Sequence, residues 1–184
     1  MKGKSEAGFT YIDVMIALVI LMVGILALLS AISFSVLQTK GQEQQLLAKQ
    51  VATSTMESIM AVKETDPARL GWIAVGNVGT NPDAGGVFRG VFLPGFQPVY
   101  LNAGPDETLG TLDDNGGTVA GLQRQIVITD ICDPDRPSPA PLCTSPSGGA
   151  AVRIRSVAVT ITYNVGATQR QERLATVLTD YVVK

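Results

Sequence analysis

The sequence has no histidine, only two cysteines, and few charged residues, which make up 16% of its 184 residues. Without histidine neither a Ser-His nor a Cys-His pair can form, so the usual histidine-activated nucleophiles are excluded. The cysteines, Cys132 and Cys143, lack the spacing and the histidine partners of a zinc site. No glycine-rich phosphate-binding motif follows a predicted strand. The sequence therefore predicts a protein that is not an enzyme.

Concentrated charge is also missing, because 14 basic and 16 acidic side chains leave a formal net charge of −2. A protein that binds nucleic acid through its phosphates usually carries a strong positive patch. We therefore predict no direct nucleic-acid partner.

The longest uncharged run extends from Val14 to Thr39, and Asp13 is the last charge before Lys40. As a helix this run is roughly 39 Å long, more than the ~30 Å hydrocarbon core of a bilayer. A core helix of a soluble domain usually shows a polar face, and the first sixteen residues of the run show none. Lysines before the run predict a cytoplasmic N-terminus. The run is predicted to be a membrane helix.

A cleavable secretory signal is the alternative interpretation of this run. Such a signal needs small residues at a cleavage site after the apolar segment, and Ala31-Ile32-Ser33 fits that requirement loosely. However, the run is long, and the residues that look like a processing site, Gly8-Phe9-Thr10, precede it. These observations favour a helix that the mature protein keeps.

The segment Gly8-Phe9-Thr10-Tyr11-Ile12-Asp13, followed by the apolar run, resembles the N-terminus of type IV prepilins. That family contains the type IV pilins and the pseudopilins of type II secretion, and the resemblance covers residues 1 to 40. It implies that prepilin peptidase cuts after Gly8 and methylates the new amine of Phe9. It also implies that the helix is held in the inner membrane before assembly and then contacts other pilins or pseudopilins.

Asp13 occupies the fifth position of the implied mature chain, where the family usually carries glutamate. In the family this carboxylate meets the N-terminal amine of a neighbouring subunit, so the resemblance gives Phe9 and Asp13 roles in assembly. A carboxylate and an ammonium neutralise each other in a low-dielectric bundle, whereas either alone is costly there. The alternative is a solvated Asp13 at the membrane surface. Many major pilins have a helix-kinking proline near the position of Ser30, and this chain has none.

After Gly41 the sequence becomes polar and keeps an apolar stripe at helical spacing. The stripe consists of Leu47, Val51, Thr55, Ile59 and Val62, and is widened by Ala48, Ala52, Met56 and Met60. This pattern predicts an amphipathic continuation of the helix to about Lys63, with Asp66-Pro67 ending it. We divide the chain into a cytoplasmic leader (1–8), a membrane or filament-core helix (9–39), an amphipathic helical half (40–65) and a β-rich globular domain outside the inner membrane (66–184).

Short apolar pieces separated by turn-forming residues predict strands in the globular domain. The clearer strands are 125–131, 152–165 and 174–183, and the shorter candidates are 87–88, 91–93 and 99–101. Gly166-Ala167-Thr168 predicts a turn between two antiparallel strands, and the alternation changes phase near Ser156. We expect Trp72 to cover the core near the end of the helix. A sheet on an amphipathic helix is an α+β fold, which matches the pilin-like fold that the resemblance implies.

An acidic loop, residues 102–116, has the composition of a metal site. Asp106, Asp113 and Asp114 would supply the oxygen ligands that calcium prefers. Their spacing does not fit an EF-hand, and Asx-turns explain the same composition without a metal. Calcium is the one cofactor that the sequence suggests.

Cys132 and Cys143 enclose a loop with four prolines. An isolated pair in a chain exported to an oxidising space predicts one disulfide, with two free thiols as the alternative. The loop is either a partner-binding or adhesive element, or a surface insertion that the disulfide protects from proteases.

The resemblance implies a structural subunit, a minor pilin that is inserted in a type IV pilus or primes its assembly. The protein would then move from the inner membrane to the pilus at the cell surface. One alternative is a minor pseudopilin of a type II secretion system, located in a periplasmic pseudopilus. Another is a membrane-anchored binding protein that does not polymerise.

Overall fold

The computed structural model describes residues 10–65, 71–83, 85–131 and 152–180. By internal contacts the chain divides into two compact units, residues 1–42 and 43–184. The elements are helix α1 (Tyr11–Glu64), a short 3-10 turn (Trp72–Ala74), and strands β1 (Phe96–Asn102), β2 (Asn115–Ile131), β3 (Ile154–Val165) and β4 (Thr168–Thr179).

In the first unit, α1 is apolar around its whole circumference. Every residue from Tyr11 to Lys40 is exposed to solvent in the isolated chain. By length and composition α1 can cross a membrane, which is consistent with a single-pass membrane protein. A helix without a polar face needs an apolar surrounding, because water does not solvate its side chains favourably.

In the second unit, the remaining part of α1 packs one face on the sheet. The buried positions of that face recur at helical spacing: Ala48, Ala52, Thr55, Met56, Ile59 and Val62. They join a core with apolar residues from β2, β3 and the loop before β1. The predicted amphipathic half is confirmed, and the helix ends one residue after the predicted Lys63.

The sheet is a meander in the order β1-β2-β3-β4, and every neighbouring pair is antiparallel. Strands β3 and β4 pair in unbroken register from Ile154↔Thr179 to Val165↔Thr168. Gly166, with φ 60°, lies in the turn between them, as predicted. The unit is therefore an α+β fold in which a helix covers one face of a four-stranded antiparallel sheet.

The phase change that the apolar alternation shows near Ser156 is not caused by a β-bulge. Strand β3 pairs with both neighbouring strands in continuous register through this residue. Val157, Val159, Ile161 and Tyr163 alternate on the buried face. The same parity places Arg155 on that face, and Arg155 is buried too. The sequence pattern breaks because a charged residue occupies a core position.

Several predicted strands have different bounds in the structure. Segments 87–88 and 91–93 are not strands, and contribute only the single bridges Pro82↔Phe88 and Asn77↔Phe92. The third candidate, 99–101, is confirmed as part of β1. Strand β2 begins at Asn115, ten residues earlier than predicted. Its first residues include three glycines, which have a low strand propensity, so the sequence pattern did not predict a strand there. Strand β4 begins at Thr168 and ends at Thr179, whereas 174–183 was predicted; residues 181–183 of that prediction lie outside the described residues.

Candidate functional site

Helix α1 begins with a reciprocal cap between Thr10 and Asp13. The backbone N–H of Thr10 donates to Asp13 Oδ2 at 3.0 Å, and the Thr10 hydroxyl donates to the same oxygen at 2.7 Å. In return the carbonyl of Thr10 accepts from the N–H of Asp13 at 3.0 Å. A carboxylate in the third helical position that binds the N-cap N–H is half of a capping box. The cap explains locally why a carboxylate can lie at the entrance of an apolar helix.

The cap leaves one carboxylate oxygen of Asp13 for another partner. Both bonds from Thr10 go to Oδ2, and Oδ1 accepts none from the described residues. The predicted processing residues Gly8 and Phe9 lie outside the described residues. Their roles, and that of the Phe9 amine in assembly, remain predictions.

Three of the polar side chains inside the apolar run bond back to their own helix. The hydroxyls of Ser30, Ser33 and Thr39 donate to the carbonyls four residues earlier, at 3.0, 2.9 and 3.0 Å. A hydroxyl satisfied in this way needs no water or polar neighbour. These residues therefore do not oppose burial of the helix in hydrocarbon.

In the acidic loop, Asp106 and Asp113 organise tight turns. The Asp106 side chain accepts from the N–H of Thr108 at 2.8 Å, which is an Asx-turn. Asp113 accepts from the N–H of Asp106 at 3.1 Å and from the Thr111 hydroxyl at 2.7 Å. The Thr111 hydroxyl lowers the pKa of Asp113, while burial raises the pKa of Asp106. The two carboxyls therefore titrate apart although they lie in one loop.

The third acid of the loop, Asp114, forms an ion pair with Arg124 of β2. Arg124 Nη2 lies 2.5 Å from Asp114 Oδ2, and the side chains are only 2% and 3% exposed. The N–H of Gly110 donates to the same oxygen at 2.9 Å, and Arg124 reaches Thr55 of α1 at 3.5 Å. Asp114 Oδ1 has no hydrogen-bond partner among the described residues. This pair joins the loop, the sheet and the helix.

The acidic loop is also tied directly to the helix, since the N–H of Leu109 donates to the hydroxyl of Ser58 at 2.9 Å. Within the described parts of the chain, no group of three or more histidine, cysteine or acidic side chains is placed to hold a metal ion. The three predicted calcium ligands thus have different structural roles. Asp106 and Asp113 accept hydrogen bonds that stabilise turns, and Asp114 neutralises Arg124. Their arrangement fits the Asx-turn alternative.

Arg155 forms a second buried cluster at the other end of the sheet. Its guanidinium lies 4.5 Å from the centre of the Trp72 ring and donates to the carbonyls of Trp72 and Val75. Arg155 Nε donates to Asp130 at 2.9 Å. Burial lowers the pKa of Arg155, and the Asp130 carboxylate opposes that shift. Trp72 packs against the core near the end of α1, as predicted.

Sequence reasoning did not identify Arg124 or Arg155 as buried. The sequence does contain one indication of their burial, because side chains two residues apart in a strand lie on the same face of the sheet. Arg124 lies two residues before the buried Ile126, and Arg155 lies two residues before the buried Val157. A charged residue at a core-facing position predicts a carboxylate partner, here the buried Asp114 and Asp130, whose side chain is 35% exposed.

Cys132 and Cys143 lie outside the described residues, so the predicted disulfide remains a prediction. Comparison of the chain with protein-family models, with curated proteins and with solved structures finds no match. The candidate site for function is therefore the N-terminal helix with Asp13 in its first turn, defined by the chain's own residues.

Proposed function

We propose that this chain is a non-enzymatic structural subunit of the type IV pilin family, a minor pilin that is inserted in a filament or primes its assembly. The observation that carries the proposal is the helix itself. It has no charge from Val14 to Thr39 and a single carboxylate, Asp13, in its first turn. The preceding Gly8-Phe9-Thr10 supplies the implied processing site.

The apolar circumference of the helix suits both environments that this function requires. Before assembly the helix lies in lipid, where the hydroxyls of Ser30 and Ser33 are satisfied by carbonyls of the helix itself. In a filament the same surface packs against identical or related helices. Lipid tails and apolar side chains are similar solvents, so packing and polar contacts decide the association of such helices.

Asp13 supplies the polar contact in this proposal. Its Oδ1, which accepts no bond from the described residues, accepts one from the N-terminal ammonium of Phe9 in the next subunit, while Oδ2 keeps the cap with Thr10. The pair is electrically neutral, so it removes two uncompensated charges from a low-dielectric bundle. The globular unit, a helix on a four-stranded antiparallel sheet, then forms the filament surface.

Asp13→Ala tests the assembly role. We expect normal membrane insertion and about a tenfold loss of the subunit from purified filaments, the effect of ~1.4 kcal/mol of lost interaction. Asp13→Glu keeps the charge and should restore incorporation. Thr10→Val is the matched control, because it removes the cap hydroxyl and leaves the carboxylate. Quantitative mass spectrometry of filaments and membranes measures all three. Normal incorporation of Asp13→Ala would contradict the role.

The same spectra test processing. A peptide that begins at N-methylated Phe9 in sheared filaments supports a pilin, and that peptide in membranes alone supports a pseudopilin. An intact Met1, or a start beyond Ser33, would overturn the family assignment.

A further inference from the structure

A cleft opens in the sheet of the globular unit where β2 leaves β3. The last pair between these two strands is Gln123↔Thr162, whereas the end of β3 pairs with β4 alone. On its other side, β2 pairs with β1 at Gln123 and next at Thr118, so residues 119–122 pair with neither neighbour in the described sheet. The chain bulges there through Gly121, whose φ of 78° is a conformation that glycine adopts readily.

The cleft has a volume of about 330 Å³ and lies between this bulge and the turn end of the β3–β4 hairpin. Gln123 of its lining pairs with Thr162. Asn164, two residues further along β3, pairs with Gln169. Alternation along the strands places both pairs on the face of the sheet that the helix does not cover. With a hydroxyl from the bulge, the polar lining is Thr118, Gln123, Thr162, Asn164 and Gln169.

The fold does not use these five side chains for its own hydrogen bonds, since none of them forms one with the described residues. Thr162 is only 8% exposed and forms the floor, while the carboxamides of Gln123, Asn164 and Gln169 are exposed around it. A carboxamide has two N–H donors and an acceptor oxygen, and a hydroxyl both donates and accepts. The cleft therefore presents several uncharged donors and acceptors to a ligand.

This lining excludes several classes of ligand. Among the described residues no charged side chain lines the cleft, so it lacks the cations that hold phosphates and carboxylates, and it lacks the carboxylates that hold metal ions. An extended peptide needs an unbroken strand edge, and β3 offers only residues 163–165 opposite a bulge. The volume lies near the lower end of the ~300–1,000 Å³ that pockets for small molecules span.

We propose that this cleft binds an uncharged saccharide of disaccharide size. Each sugar hydroxyl donates and accepts, which matches the carboxamides and threonines of the lining. The apolar C–H face of a sugar ring fits the rest of the lining, which includes Pro98, Val119 and Ala120. The site lies within the globular unit, so this inference does not depend on the assembly role of Asp13.

Binding is measured on the full chain in micelles of a phosphocholine detergent, whose headgroup contains no sugar. The probes are maltose, cellobiose, lactose and N,N′-diacetylchitobiose, each titrated by saturation-transfer NMR. We expect saturable binding of at least one probe. In proton–nitrogen correlation spectra, that probe should shift the side-chain amide signals of Gln123, Asn164 and Gln169. The signal of Gln50, exposed on α1, should stay unchanged.

Two substitutions test the location of the site. Gln123→Ala and Asn164→Ala should each weaken binding about tenfold, because each removes a carboxamide that bonds the ligand. Gln125→Ala is the matched control, since Gln125 lies on the same face of the same strand and does not line the cleft. It should bind like wild type. All three variants should keep the wild-type melting temperature, which separates lost binding from lost folding.

Failure of all these disaccharides to bind would overturn the proposal, and so would wild-type binding by both Gln123→Ala and Asn164→Ala. Cellobiouronic acid carries a carboxylate in place of one hydroxymethyl group of cellobiose and should bind more weakly, because the cleft offers that charge no partner. Stronger binding of the acid would overturn the assigned ligand chemistry. The peptide acetyl-Ala-Thr-Ala-Thr-amide should not bind. If it binds in place of the saccharides and loses affinity in Gln123→Ala, the occupant is a polypeptide and the proposal is wrong.

Discussion

Arg124 and Asp114 lie between the helix, the sheet and the acidic loop, and almost none of their surface reaches solvent. Ionised groups in such a place must be compensated, because desolvation of each ion costs several kcal/mol. The pair is therefore more informative about specificity than about net stability. It fixes one position of the acidic loop relative to β2, and the 3.5 Å contact with Thr55 extends that constraint to α1.

Removing one partner of this pair should be far worse than removing both. We expect Arg124→Ala to lower the free energy of unfolding by about 3–5 kcal/mol, because it leaves Asp114 as an uncompensated buried charge. The double variant Arg124→Met, Asp114→Leu should recover most of that loss. Urea unfolding followed by far-UV circular dichroism measures both. Additive losses in the double variant would show that the two side chains act independently.

At the scale of elements, the long helix was predictable because its two halves carry different and strong patterns. The uncharged run has no polar face, and the amphipathic half repeats its apolar stripe at helical spacing. The stripe was drawn too wide at Met60, which is 40% exposed while Ile59 is fully buried. Four methionine or alanine positions satisfied the same periodicity, and only the packed sheet decides which of them are covered.

Ile59 and Met60 give a matched test of that helix face. We expect Ile59→Ala to lower the free energy of unfolding by about 2–5 kcal/mol, because it opens a cavity in the core. Met60→Ala should change it by less than ~0.5 kcal/mol, the usual range for an exposed site. Thermal and urea unfolding of the full chain compare them. A similar loss in both variants would place Met60 in a contact that the isolated chain does not show.

The strands were less predictable than the helix, and for identifiable reasons. The interior strand β3 alternates clearly, so its bounds differ by two residues only at the start. Strand β4 lies at an edge, so Gln169, Arg170 and Gln171 are solvated and carry no alternation. The first residues of β2 contain three glycines, which weaken any strand prediction. Arg124 and Arg155 were missed because their partners are distant in sequence.

At the scale of the whole molecule, the sequence indicates export, and export changes the chemistry available to Cys132 and Cys143. The predicted topology, a membrane helix with a cytoplasmic N-terminus, would place the rest of the chain in an oxidising compartment. There a bridge would close a proline-rich loop that has no predicted helix or strand. In the sequence the loop follows Ile131, the last residue of β2, and Asp130 just before it bonds the buried Arg155.

We expect the two cysteines to be linked in protein isolated from its natural compartment. A non-reduced peptide map should contain one fragment with both residues, and reduction should lower the free energy of unfolding by about 3 kcal/mol, the loop-closure value. Cys132→Ser, Cys143→Ser is the control, since reduction should not affect it. Two free thiols in the map would contradict the export-based prediction.

The chain has a single tryptophan, and Trp72 lies where the end of α1, the following loop and β3 meet. Its indole N–H donates to the carbonyl of Val152 at 2.6 Å, and the Arg155 guanidinium covers its ring. Its fluorescence is consequently an intrinsic reporter of the globular unit alone. Denaturation of that unit can be monitored optically without a label, because the apolar helix of the first unit contains no tryptophan.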